Sequence, residues 1–174
     1  MHGRQLGALI GAIGGLAFVL VNVGQLPGAV SWLVRLLGLL AFLFTLRQLP
    51  HWRAGTQSRP AARAWRLYQV SVLLMLLALP LGARGLTAAG WPDLIILWVI
   101  AVVGAHFYPF AGAFHAPVFR RLAGVLVAVA LLGTVGWALP WPLAPAVAAV
   151  VAGFVLLAFS AGWPISARTG GPER

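Results

Sequence analysis

Apolar residues fall in six long blocks, at roughly 5–24, 29–48, 65–82, 92–114, 118–138 and 145–163. Wound as helix at 1.5 Å per residue, each block is long enough to cross about 30 Å of hydrocarbon. Helix-breaking residues separate them. Gln25-Leu26-Pro27-Gly28 follows the first block, and Pro50 to Pro60 follows the second. Gly82 to Pro92, Pro117 and Pro140 to Pro145 punctuate the rest. The pattern predicts an all-α polytopic membrane bundle of six transmembrane helices, one domain over residues 1–174. The N-terminal apolar run, Leu6 to Val23, is too long for a signal-peptide core and lacks a small-x-small cleavage site. It reads as a retained helix.

Composition agrees. Of 174 residues, 61% are hydrophobic and 8% charged, and mean hydropathy is +0.96. A water-soluble domain would expose far more charge, about a quarter of its residues. Lipid replaces that polar exterior. The absence of cysteine excludes disulfides, thiolate metal sites and Cys nucleophiles.

The net charge of +10 comes from arginine alone, and a GC-rich bacterial genome accounts for the missing lysine. The distribution matters more than the total. Arg4, Arg47, Arg53, Arg59, Arg63, Arg66, Arg120, Arg121, Arg168 and Arg174 lie at the termini or beside alternate connectors, with only Arg84 on the other side. Positive charge is retained inside, so both termini are expected in the cytoplasm and the protein in the plasma (inner) membrane. That distribution explains the basicity without nucleic acid. Trp32, Trp91, Trp137 and Trp141 fall at expected outer ends, and Trp52, Trp65 and Trp163 at inner ends, as an aromatic belt requires. Trp98 is the exception, deep in the fourth block.

Two sequence features bear on assembly. Gly3, Gly7, Gly11 and Gly15 recur at steps of four, on one face of the first helix. Such a face packs closely on another helix of the monomer, or forms a homodimer seam. Separately, Arg35-Leu-Leu-Gly38 aligns with Arg121-Leu-Ala-Gly124, Pro27 with Pro109, and Asn22 with His106 when two to three residues are gapped. Three helices per half would invert the second half. This allows a 3+3 inverted repeat, with halves 1–84 and 85–164.

Polar residues inside the blocks are the candidate chemistry. His106 lies about 14 residues into the fourth block, and ionisable groups in spans usually face the bundle interior. Pro109 cannot donate to the carbonyl of Ala105, so a His, a kink and a freed carbonyl meet on one turn. Tyr108 is a candidate partner for His106 or an interfacial anchor. Arg35 lies about 9 Å below its outer end at 1.5 Å per residue. It either snorkels to headgroups or pairs with Asp93, the carboxylate at the start of the fourth block. Asn22 is expected to bond another helix or line an outer cavity. Gln69 and Ser71 read as interhelical hydrogen-bonders. His115, Arg120 and Arg121 form a basic stretch suited to an anionic lipid headgroup or substrate. Haem held by His106 with His51 or His115 would need two imidazoles facing one slot, which nothing in the pattern provides.

Enzyme chemistry finds little support. No paired acids, nucleophile motif, metal cluster or phosphate loop is present, so neither cofactor nor metal is expected. The favoured expectation is a carrier or channel for a small solute or ion, with a continuous polar path. The alternative is a non-transporting accessory or lipid-binding protein, packed as a subunit of a membrane complex. It predicts a dry core and a lateral groove open to lipid.

Overall fold

The computed structural model describes residues 3–49, 62–113 and 116–162. Six helices account for nearly all of them. They are α1 (Gly3–Asn22), α2 (Gly28–Gln48), α3 (Ala62–Ala88), α4 (Ile95–Ala113), α5 (Pro117–Ala138) and α6 (Ala144–Ser160). Short 3₁₀ turns follow α1 and precede α4. Five helices are long and apolar enough to cross a membrane, and α6 has 17 residues. The protein is a helical membrane bundle. The connector Pro50 to Pro60, with His51, lies outside the described residues, as do His115, Trp163, Arg168 and Arg174.

The third helix runs further than its sequence suggests. Pro80 and Gly82 do not end it, and it continues to Ala88. A proline is tolerated in a membrane helix because neighbouring groups satisfy the freed carbonyl. The stop is at Gly90, whose φ of +79° is easy only for glycine. There the Trp91 N–H donates to Leu86 O at 2.8 Å and the Gly90 N–H to Thr87 O at 3.1 Å. This is a Schellman closure with a proline just beyond it.

The helices pack in the spatial order α3, α4, α5, α6, α1, α2, and α6 also touches α2 and α4. Helix α6 is the centre, with eleven of its 17 residues buried. Leu97 and Ile100 of α4, Leu122, Leu126 and Ala130 of α5, and Ala148, Ala149, Ala152 and Leu156 of α6 form the core. Many are alanines, which lets the helix axes approach closely.

The α1–α6 seam is closest of all. A Cβ on Gly15 would lie 2.7 Å from Gly153 O, and one on Gly153 would lie 2.6 Å from Gly15 O. Only glycine fits two backbones at that separation. On α1, Gly11 and Gly15 therefore face α6, while Gly7 has open space around it and Gly3 begins the helix. The outer helix α2 is held by one stripe, Ser31, Gly38 and Thr45, at steps of seven. Thr45 donates to Ala41 O at 2.9 Å, with Leu157 O of α6 3.4 Å away.

Helix α5 lies along α6, whereas among the described residues α2 and α3 share at most marginal contact.

Candidate functional site

His106 sits where α3 crosses the later part of α4. Its Nδ1 is 2.8 Å from Ser71 Oγ, and the Ser71 hydroxyl also lies 3.2 Å from His106 O. One proton arrangement satisfies both contacts. Nδ1–H donates to Ser71 Oγ, and Ser71 donates to the His106 carbonyl. That leaves Nε2 with its lone pair. Ser71 is the buried polar residue of α3, and this hook fixes α3 to α4.

Aromatic rings surround the pair. The Phe110 ring meets His106 edge-on at 4.5 Å between centroids, and Tyr68 of α3 lies 5.0 Å from Phe110. Phe107 stacks on Phe119 of α5 at 6.0 Å, and Trp65 stacks on Tyr68 at 5.2 Å. The cluster ties α3, α4 and α5 together at the end of the bundle that carries Arg66, Arg120 and Arg121. Sequence reading isolated His106 but not this cluster. Its only trace there is the three-residue spacing of Trp65 with Tyr68 and of Phe107 with Phe110.

The other polar candidates do not join His106. Asn22 folds back on its own helix, its side-chain amide donating to Phe18 O at 2.9 Å. Arg35 lies 5.0 Å above the Trp32 ring, a cation–π contact one turn along α2. Asp93 is exposed in the 3₁₀ turn before α4. The expected Arg35–Asp93 approach is absent. Helix α2 packs on α1 and α6, whereas α4 packs chiefly on α3 and α5. Tyr108 is 47% exposed and points toward Gly124 of α5, so Ser71 takes the place beside His106 proposed for it. Gln69, expected to bond between helices, is exposed on α3.

Trp98, the misplaced tryptophan of the sequence, has a structural role. Its indole N–H donates to Ala78 O of α3 at 3.0 Å, and its ring occupies the space left by Gly82.

A lateral groove of about 750 Å³ opens between α5 and α6. Gly124, Val125, Phe154, Val155 and Ala158 form most of its walls, with Arg120 and Arg121 at one end. It contains none of Asn22, Arg35, Asp93 or His106. Among the described residues, no three His, Cys, Asp or Glu side chains converge as a metal site would require. Among the described residues the buried polar side chains are Ser31, Thr45, Ser71 and Ser160. Buried side-chain N and O atoms all have hydrogen-bond partners among the described residues. Comparison with family models, characterised proteins and solved structures finds no match to this chain.

Proposed function

We propose that this is a non-transporting accessory protein of the membrane, which works by packing against lipid and other membrane components. The observation that carries this reading is the character of the interior. The space between α4, α5 and α6 is filled by Leu, Ile and Ala. Of the polar residues that a carrier would align along one path, Asn22 and Arg35 make their contacts within their own helices, and His106 bonds across to Ser71 of α3 instead of joining them. The groove between α5 and α6 opens sideways, toward lipid. The Arg66, Arg120 and Arg121 end is assigned to the cytoplasm on the positive-inside rule.

A carrier remains the second reading, on one observation. His106, bonded to another helix one turn before Pro109, is the kind of polar joint that broken transporter helices use. Flux separates the two. Proteoliposomes should leak protons, K⁺, Na⁺ and small polar solutes no faster than empty liposomes. A saturable flux that His106→Ala abolishes would overturn the accessory reading in favour of the carrier.

A further inference from the structure

We propose that the α5–α6 groove is a binding site for one anionic phospholipid, its phosphate at Arg120 and Arg121 and one acyl chain between the helices. Two independent observations meet here. The first is charge. Arg120 and Arg121 are adjacent and exposed in the first turns of α5. Among the described residues the only carboxylate is Asp93, at the opposite end of the bundle, and neither guanidinium pairs with it. The second is shape. Below the arginines the walls are apolar, and the groove follows α6 from Phe159 to Val151. That length is about 12 Å at 1.5 Å per residue, most of one leaflet's hydrocarbon depth of about 15 Å.

A free phosphate would use the arginines and leave the apolar cleft unfilled. A neutral lipid would fill the cleft and leave the charges unmatched. Only a molecule with an anionic head and an acyl tail uses both. Gly124 lines the groove. A Cβ added there would meet nothing closer than the Tyr108 hydroxyl at 3.8 Å, so a larger side chain has open space to enter. This inference does not depend on whether the protein transports anything.

The test is native mass spectrometry of the full chain from nanodiscs that mix phosphatidylglycerol with phosphatidylcholine. The wild type should retain one phosphatidylglycerol per chain in preference to phosphatidylcholine. Two arginines at a membrane surface imply about a thirty-fold loss of that preference in R120Q/R121Q. Arg66→Gln, which removes an arginine at the same end on α3, should leave it unchanged. Gly124→Leu should expel the lipid with both arginines intact, and Ala158→Leu offers a second block from the facing wall. Equal retention in Gly124→Leu and Ala158→Leu, both folded by thermal melt, would mean surface charge attraction alone and would overturn the proposal. So would retention of phosphatidylcholine at the same level, or full displacement by tail-free glycerol phosphate.

Discussion

The α1–α6 seam and the α3–α4 seam hold helices together by opposite means. Between α1 and α6, side chains are removed until backbones touch, with Gly15 against Gly153. Between α3 and α4 the seam carries three directional side-chain contacts along its length. These are the Tyr68–Phe110 rings, the Ser71–His106 hook and the Trp98 indole on Ala78 O. Helix α3 has 27 residues, and among those whose burial is described Ser71 is the one buried position. The difference follows from the solvent. Lipid tails are as apolar as leucine, so burying leucine against leucine gains little. A seam in hydrocarbon needs either close van der Waals approach or directional polar contacts, and this molecule uses one at its centre and the other at its edge.

The largest effect should come from filling the close seam. Gly153→Leu puts side-chain atoms where Gly15 O and Val19 already lie, and should cost about 3 kcal/mol by overpacking, read by reversible unfolding in mixed detergent. A near-neutral result would erase the distinction between the seams. Gly82→Ala comes next. Its Cβ would collide with the Trp98 indole, so the ring must shift and its bond to Ala78 O weaken, at about 1–2 kcal/mol. Trp98 fluorescence should report the displaced ring. Ser71→Ala should cost less, about 0.6 kcal/mol, the usual worth of a polar contact between membrane helices. A double-mutant cycle with His106→Phe should return a coupling of similar size, and a coupling of zero would remove the hook from the α3–α4 seam. The smallest effect should be Gly7→Leu, within about 0.5 kcal/mol, because nothing among the described residues lies within 4 Å of a Cβ at that position. If Gly7→Leu instead lowers the particle mass measured by light scattering, a second copy packs there.

The membrane class and the helix number were legible because each span must be long and uninterrupted. The end of α3 was not. Pro80 and Gly82 look like stop signals, but in lipid a proline is tolerated and Gly82 serves the Trp98 ring instead. The true stop, Gly90 before Trp91-Pro92, lies several residues later. At the candidate site, His106 stood out as an ionisable residue within a span, yet its partner depends on the register of α3 against α4. The Arg35–Asp93 expectation rested on opposite charge and a shared outer side. Spatial order defeats it, since α6 lies between α2 and α4, which share at most marginal contact among the described residues. The groove was illegible because it depends on the spacing of α5 from α6, and Gly124 and Ala158 are ordinary residues until those helices are placed.

The chain has no cysteine, so each engineered thiol is a single reporter of whether water reaches the core. Cysteines placed singly at Ala123, Ala130, Ala149 and Ala152 replace alanines that are no more than 3% exposed. In sealed proteoliposomes, a membrane-impermeant thiol reagent added to either side should label none of them until the protein is unfolded. Labelling of two or more of these positions in the folded protein would reveal a water-filled path through α4, α5 and α6, and would contradict a closed interior.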